Sequence, residues 1–361
     1  MLGGIKVLEL EGLGPGPFAG MTLADLGANV ITVQRGAESD VSNNSKPDLL
    51  NRGKRSIVLD LKNPNDKNTL RELIIWSDVL IEGFRPGVME RLGFSEEKVF
   101  ELNPNIIFGR ITGWGQHGPR SMQAGHDLNY IGVSGALHYA SLPGDAPVTP
   151  ATLVGDIGGG ALYLVIGILA ALQKVQRGES GVVIDAAIVD GSAHMMNLLM
   201  SLTKNDGLSM ERGNSLLDGP HWSRSYICSD KTYISVQCLE SKFYFIFLSK
   251  LGLANDPDFI QQHNKVLWPI LNDRLEKIFK KNSRDYWNEL FIGSDGCLAP
   301  ILSPAESSQD SHMLERKTWQ KIEGILQANP APRFSNWKNQ NSFKIPIRGQ
   351  HTEEILKDLK N

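Results

Sequence analysis

The sequence has little cysteine: three residues in a chain of 361, with no pair spaced as CxxC. Cys228, Cys238 and Cys297 form an odd, widely spaced set, which favours neither a disulfide framework nor a zinc site. We therefore expect a reducing environment and no bound metal.

An excess of positive charge is also missing. The formal net charge is -3 and the sequence pI is about 6.3. Nucleic acids and anionic membrane surfaces are bound through a sustained positive field. We therefore expect neither a nucleic-acid nor a membrane partner, and the basic residues that matter must act locally.

Long apolar runs and targeting signals are scarce. The longest uncharged stretch, residues 157–173, has about 17 residues and is interrupted by glycines, so it is marginal for a bilayer and predicts a buried helix. The segment MLGGIKVLELEG lacks the features of a signal peptide, and DLKN is not a peroxisomal tripeptide. We expect a cytoplasmic protein.

The first two hundred residues alternate short apolar runs with helical patterns, which is typical of a parallel sheet covered by helices. Strands are predicted at 5–10, 30–34, 56–61, 79–82, 106–111 and 182–188, and a first helix at 18–27. The composition of the sequence changes near residue 206, where a polar, Gly-rich linker begins. Beyond it, strands are predicted at 225–228 and 232–237 and helices at 240–251 and 259–280. The sequence predicts an α/β fold: a large Rossmann-like domain over 1–205, a linker and small α+β domain over 206–319, and a C-terminal segment, 320–361, that returns to the large domain.

The loop after the first strand, Gly14 to Ala19, fits the pattern G-x-G-x-x-A of dinucleotide-binding proteins. Pro15 and Pro17 have no backbone N–H, however, and such loops hold pyrophosphate through those donors. The second strand also ends in Gln34-Arg35 without an acid for the ribose hydroxyls. A nicotinamide dehydrogenase is therefore an alternative that the loop chemistry disfavours.

Basic residues recur close to the predicted strand ends. Open α/β sheets bind ligands at the carboxyl ends of their strands, and guanidinium groups bind phosphate oxygens in pairs. Together the cations suit a ligand with several phosphates. They are Arg35, Arg52, Arg55, Lys62, Arg85 and Arg91.

Two side chains are candidates for proton transfer. His126 stands at the predicted start of a helix, where the dipole favours the neutral imidazole that a general base requires. Asp156 lies between apolar residues at the mouth of the predicted buried helix, where a helix N-cap is the structural alternative. Burial raises the pKa of such a carboxyl and the helix dipole lowers it, so the direction stays open.

An ordered set of segments resembles the α-methylacyl-CoA racemases, members of the family III CoA-transferase (CaiB/BaiF-type) superfamily. The similarity covers nearly the whole chain and is strongest over residues 1–200. The segments are GFRPGVMERLGF, GRITGWGQHGP, AGHDLNYIGVSGALH, VGDIGGGALYLVIGILAAL and RGQHTEEIL.

The resemblance implies an acyl-CoA substrate and an interlocked homodimer. It also implies that His126 and Asp156 flank the substrate α-carbon as the acid/base pair, that the partner subunit contributes Glu240, and that no cofactor is needed because CoA is part of the substrate. The positions matching the CoA contacts of the family are Arg35, Leu59, Asp60, Leu61, Lys62, Gly83, Phe84, Arg85, Arg91, Gly125, Asp127 and Tyr130.

The expected function is racemisation of 2-methylacyl-CoA thioesters through an enolate, as part of lipid metabolism. The alternatives are a family III CoA-transferase, which uses the aspartate matching Asp156 as a nucleophile and lacks a histidine at the place of His126, and a non-catalytic acyl-CoA binding protein. Two positions depart from the racemase pattern: Thr152 stands where asparagine is usual, and Gly296 where alanine is commoner.

Overall fold

The structure, a computed structural model, describes residues 1–36, 48–205, 207–338 and 343–360. The chain forms two compact units. The first comprises Met1–Ala136, Pro150–Met195 and Trp319–Asn361, and the second comprises Leu137–Thr149 and Met196–Thr318. The sequence analysis assigned residues 137–149 and 196–205 to the large domain. In the structure they belong to the second unit, because a unit is defined by its spatial contacts and not by position in the chain.

The first unit is built on a six-stranded parallel sheet with the order β3-β2-β1-β4-β5-β6. The predicted α/β fold is confirmed. The strands are β1 Lys6–Leu10, β2 Asn29–Gln34, β3 Arg55–Val58, β4 Val79–Glu82, β5 Ile107–Thr112 and β6 Val182–Ala187. A separate antiparallel pair consists of β10 Trp319–Ile322 and β11 Ile325–Ala328.

Helices cover both faces of this sheet, which explains why its strands are nearly continuous apolar runs. The helices of the unit are α1 Pro15–Asp25, α2 Pro64–Trp76, α3 Val88–Leu92, α4 Glu96–Leu102, α5 Asp127–Ser134, α6 Leu162–Gln176, α7 Ile188–Met195 and α14 Thr352–Asp358. Side chains alternate across the pleat: Val7 belongs to the core under α1 and α6, and Leu8 to the core under α2 and α14.

The apolar stretch predicted as a buried helix has two parts. Leu153–Ala161 is a π-helical segment and continues into α6. By length and composition alone, Leu153–Gln176 is apolar enough to cross a membrane. Leu164 and Ile168 on α6 are fully buried in the sheet core, as in the core helix of a globular unit. The absence of a membrane partner stays a prediction.

The second unit combines a three-stranded antiparallel sheet with helices. Its strands are β7 Ser223–Ile227, β8 Tyr233–Gln237 and β9 Leu298–Ile301, in the order β7-β8-β9. Its helices are α8 Asn197–Met200, α9 Ser241–Leu251, α10 Trp268–Phe279, α11 Arg284–Phe291, α12 Pro304–Ser307 and α13 Ser311–Glu315. Trp222, Phe247 and Phe279 are fully buried in its aromatic core.

One element of this unit was not predicted, and one predicted helix is wrong at its start. The strand β9 was not expected, and the helix predicted over 259–280 begins only at Trp268. The buried carbonyl of Gln262 accepts hydrogen bonds from the indole N–H groups of Trp222, at 3.0 Å, and Trp268, at 2.9 Å. Because an α-helix through this segment would direct the carbonyl along its axis, the two tryptophans favour the observed turns.

Candidate active site

The site lies where the strand order of the sheet reverses. The chain runs outward in one direction from β1 to β3 and in the other from β4 to β6, so the loops after β1 and β4 diverge and leave a crevice. The loop after β1 contains Gly14, and the loop after β4 contains Gly83 and Arg85. Ligands of open α/β sheets bind at such a reversal, and the predicted acid/base residues are found here.

Asp156 belongs to the π-helical segment and faces the loop after β1. A Cβ atom placed on Gly14 would lie 3.7 Å from Asp156 Oδ2, so the carboxylate is close to this loop. The N-cap of the segment is Thr152 and not Asp156, which corrects the structural alternative for this carboxylate. Asp156 therefore does not cap a helix, and its half-buried side chain is free for chemistry.

The environment of Asp156 raises its pKa to about 6. Burial is the main cause, the negative charge of Asp127 adds to it, and the charge of His126 opposes it. A carboxyl group with this pKa is present in both protonation states near neutral pH, so it can take up and release a proton at little cost.

His126 is the N-cap of α5, as the sequence predicts. Its backbone N–H donates to Asn129 Oδ1 at 3.0 Å, and its carbonyl accepts from the backbone N–H of Asn129 at 2.8 Å. These bonds hold the residue at the start of the helix with its side chain exposed. The charge of His126 lowers the pKa of Asp156, so the two predicted bases are close enough to interact electrostatically.

Two aromatic rings stand beside the bases. Trp114 and Tyr130 pack edge to face with ring centroids 4.8 Å apart, and the Tyr130 hydroxyl donates to the carbonyl of Gly125. Gly113 must lack a side chain, since a Cβ atom there would lie 1.9 Å from the Tyr130 ring. Burial and the charge of Asp156 raise the pKa of Tyr130, and the charge of Arg85 opposes this shift, so both charged groups lie near the phenol.

Four of the predicted cations are available to a ligand. Their side chains are exposed, and within the part of the chain that the structure describes none of them forms an ion pair. Three of them follow β2, β3 and β4 at the carboxyl edge of the sheet, and the fourth lies in the last turn of α3. They are Arg35, Lys62, Arg85 and Arg91.

Five further positions expected to contact CoA, 59–61 and 83–84, lie in the loops after β3 and β4. Leu59 is buried and Asp60 is exposed, with its carboxylate accepting from the backbone N–H of Lys62 at 2.9 Å. The guanidinium group of Arg35 lies over the ring of Phe84, with its central carbon, Cζ, 5.8 Å from the ring centroid. Leu61 and Gly83 complete the two loops.

Arg52 and Arg55 do not belong to this group. They lie at the amino end of β3, opposite the site. Buried Arg52 forms a 2.5 Å ion pair with Asp25, and Arg55 pairs with Glu354 and Asp358 of α14 at 2.8 and 2.7 Å. They precede the predicted strand, whereas Arg35 follows its strand, so a parallel sheet places the two sets at opposite edges. Their inclusion among the ligand-binding cations was wrong.

Two residues that the sequence analysis missed hold Arg35 in place. Glu11, directly after β1, accepts from the Arg35 backbone N–H at 2.9 Å and from Arg348 Nη1 at 3.0 Å. Arg348 also donates to the Arg35 carbonyl at 2.7 Å. The C-terminal motif RGQHTEEIL, which contains Arg348, is the one signal that pointed to this contact.

The two departures from the racemase pattern have structural consequences. Thr152 has φ 64°, in the left-handed region, which asparagine tolerates better than a β-branched residue. Threonine therefore adds strain just before the segment of Asp156. A Cβ atom on Gly296 would lie 2.7 Å from the Phe291 ring, so alanine there would require the ring to move.

Glu240 belongs to the second unit, as the exposed N-cap residue of α9. Its negative charge contributes, after burial, to a raised pKa of the Cys297 thiol. Its predicted role concerns a partner subunit and stays a prediction.

Known proteins resemble the chain over nearly its whole length. Residues 2–352 match CoA-transferase family III. The sequence is 39% identical over 363 residues to the α-methylacyl-CoA racemase of Homo sapiens, covering 99% of this chain and 93% of the relative. It is 29% identical to the succinyl-CoA:glutarate CoA-transferase of Homo sapiens, covering 99% and 86%. A crystal structure of a CaiB/BaiF family protein from Brucella suis superposes with a TM-score of 0.84 at 28% identity, covering 99% of each chain.

Proposed function

Because the chain belongs to CoA-transferase family III, we propose that it is an α-methylacyl-CoA racemase, an isomerase that interconverts (R)- and (S)-2-methylacyl-CoA thioesters. The observation that carries this proposal is the shared environment of an imidazole and a carboxyl group, His126 and Asp156, at the strand-order reversal. The 39% identity to a racemase over nearly the full length supports it.

The reaction is a 1,1-proton transfer. One base removes the proton from the carbon beside the thioester carbonyl, and the C–H electron pair moves into an enolate. The conjugate acid of the other base then delivers a proton to the opposite face of the same carbon, which inverts it. Two bases on opposite faces are needed because a single base would return the proton to the face from which it came.

Hydrogen-bond donors at the start of α5 are suited to the enolate oxygen. The backbone N–H groups of Gly155 and Asp156, beside the second base, are not available for this, because they already donate to Asp127. In the described part of the chain, the backbone N–H groups of Asp127 and Leu128, in the first turn of α5, have no hydrogen-bond acceptor. A helix N-terminus with free N–H groups favours developing negative charge.

Exchange with solvent tests the mechanism directly. In deuterated water the enzyme should incorporate deuterium at the α-position of a pure (S)-2-methylacyl-CoA while it forms the (R) isomer. Mass spectrometry and chiral chromatography measure the two rates. Epimerisation without incorporation of solvent deuterium would refute the two-base mechanism.

CoA transfer between carboxylic acids is the second candidate, favoured by the similarity to succinyl-CoA:glutarate CoA-transferase. In that reaction the Asp156 carboxylate attacks the thioester carbonyl, CoA leaves as a thiolate, and an acyl-aspartyl anhydride forms. Hydroxylamine would trap this intermediate, and turnover would require a second acid. Absence of trapping together with deuterium exchange would exclude it.

The exposed cations should bind the phosphates of CoA. We expect Arg35→Gln and Arg85→Gln each to weaken CoA binding about ten- to a hundredfold, since a charge-assisted hydrogen bond contributes about 1.5–3 kcal/mol. Isothermal titration with CoA measures the dissociation constant. Arg71→Gln, which removes an exposed arginine from α2, is the matched control, and an equal loss of affinity there would mean that net charge alone is responsible.

Several further properties are part of the proposal. We propose a homodimer in which Glu240 of one subunit completes the site of the other, a cytoplasmic location, a role in lipid metabolism, and no resident cofactor or metal. Within the described residues no group of three or more His, Cys, Asp or Glu side chains is arranged to hold a metal ion. Light scattering of the purified protein tests the dimer.

A further inference from the structure

Asp127 follows the proposed base His126, and its carboxylate contacts the segment of the other base. The Asp127 side chain is 3% exposed. Its Oδ1 atom accepts from the backbone N–H of Gly155 at 2.8 Å and from that of Asp156 at 2.9 Å. One oxygen atom thus joins two chain segments that are 28 and 29 residues apart in sequence.

We propose that Asp127 is a positioning residue whose carboxylate ties the Asp156 segment to the first turn of α5, which carries His126. The contact sets the separation of the two acid/base residues because Asp127 and His126 are neighbours in the chain. This inference rests on the proposed racemase function, since it assigns a role within that reaction.

The packing around the contact supports a fixed geometry. A Cβ atom on Gly155 would lie 2.6 Å from Asp127 Oδ1 and 2.8 Å from the side chain of Ile131, so only glycine allows this approach. Gly155 is buried. Backbone N–H groups bonded to a charged acceptor at these distances form strong hydrogen bonds. The π-helical segment therefore cannot shift along α5 without breaking both bonds.

The second carboxylate oxygen gives Asp127 an electrostatic role as well. Asp127 Oδ2 is buried and has no hydrogen-bond partner within the described residues. A buried carboxylate oxygen without a hydrogen-bond donor exerts a strong negative potential on its neighbours, because no donor offsets its charge. That field reaches Asp156 and helps to raise its pKa.

In the described part of the chain, the other charged and titratable groups that interact with Asp156 or with its neighbour Tyr130 lie on α5 and in the loop after β4. His126, at the start of α5, lowers the pKa of Asp156. Tyr130, on the same helix, interacts with both Asp156 and Arg85, which follows β4. Replacement of Asp127 by asparagine leaves these groups in place and removes only the carboxylate charge, so it isolates the effect of Asp127.

The first experiment measures the proton affinity of Asp156 without any turnover. The ¹³Cγ resonances of aspartate-labelled full-length protein are titrated by NMR, and Asp156→Asn identifies the resonance of Asp156. In Asp127→Asn the pKa of Asp156 should fall clearly below the wild-type value of about 6, because a neighbouring negative charge is lost. Asp78→Asn is the matched control, since Asp78 also accepts a backbone N–H bond, from Lys6, but at the amino edge of the sheet.

The second experiment measures deuterium exchange. Asp127→Asn retains an acceptor oxygen for the two N–H groups and should keep the KM, while the pH dependence of kcat shifts to lower pH together with the NMR titration. At pH 7 the fraction of protonated Asp156 falls tenfold for each unit that its pKa falls. Asp127→Ala removes the acceptor and should lower kcat further at unchanged KM.

The results separate this inference from the proposed function. An unchanged Asp156 titration in Asp127→Asn, or an equal shift in Asp78→Asn, overturns the electrostatic part of the inference. A folded Asp127→Ala that keeps the wild-type kcat overturns the positioning role, even if the enzyme racemises its substrate. A shifted titration in a protein that exchanges no α-proton supports the Asp127 contact and refutes the racemase. If Asp127→Ala does not fold, the Asp127→Asn titration still decides.

Discussion

Replacement of His126 by alanine is expected to slow racemisation of a 2-methylacyl-CoA by a factor of about 10²–10⁴, the usual contribution of a general acid or base. Asp156→Asn should have an effect of similar size. Neither change should weaken CoA binding much, because the proposed phosphate ligands are the cations at the strand ends. Deuterium incorporation measures the rate, and isothermal titration with CoA measures the affinity.

His117→Ala provides the matched control for the histidine. His117 is exposed in the loop Gly113–Pro119 of the same unit and has no role in the proposed transfer. If His117→Ala loses as much activity as His126→Ala, or if His126→Ala retains full activity, the acid/base assignment is wrong.

The pKa of Asp156 predicts one pH profile of kcat/KM that the two enantiomers share. In either direction one residue of the pair His126 and Asp156 must be the base while the other holds a proton, so the active enzyme carries one proton on the pair. Activity should therefore be lost when the pair takes up a second proton at low pH and when it releases its only proton at high pH, and one limb of the profile should lie near the Asp156 pKa of about 6. Initial rates with each pure enantiomer measure both profiles, and profiles of different shape would contradict a shared acid/base pair.

Lys54→Met is expected to lower the free energy of unfolding by about 3–5 kcal/mol at pH 7, because it leaves a buried carboxylate without its counter-charge. Lys54 Nζ donates to Glu9 Oε2 at 2.6 Å and to the Pro17 carbonyl at 2.9 Å. Both side chains of the ion pair are 1% exposed or less. Chemical denaturation followed by tryptophan fluorescence measures the change.

The loss should depend on pH in a defined direction. Burial raises the pKa of Glu9 above its ordinary value, and removal of Lys54 raises it further. A carboxyl group whose pKa is raised by folding binds protons more strongly in the folded protein than in the unfolded chain, so folding of the variant is opposed more as the pH rises above the ordinary pKa of 4.5. As the pH falls towards 4.5, the unfolded carboxyl is protonated as well and most of the lost stability should return.

Two variants make this prediction specific. Lys98→Met breaks an ion pair with Glu101 that is also 2.6 Å long but in which both side chains are about 60% exposed. It should cost less than about 1 kcal/mol. Glu9→Gln combined with Lys54→Met removes both charges and should be more stable than Lys54→Met alone; an equal loss in both would mean that packing and not the unpaired charge is responsible.

Part of this molecule follows from local sequence patterns. Apolar runs such as Ile5–Leu10, separated by helical patterns, require strands covered on both faces, and that is sufficient for a parallel α/β sheet. The sequence also indicated that His126 and Asp156 are candidate bases, because the glycines and polar residues beside each of them form motifs that can be seen in the local sequence.

Only the tertiary structure decided how these pieces combine. Arg52 precedes β3 and Arg35 follows β2, so the sequence separates the edges at which they lie. Only the structure shows that Arg52 is buried against Asp25 while Arg35 is exposed, because that ion pair depends on long-range packing. The two hydrogen bonds of Asp127 likewise join segments 28 and 29 residues apart. A periodic pattern reports which face of an element is buried; it does not report which other element covers that face.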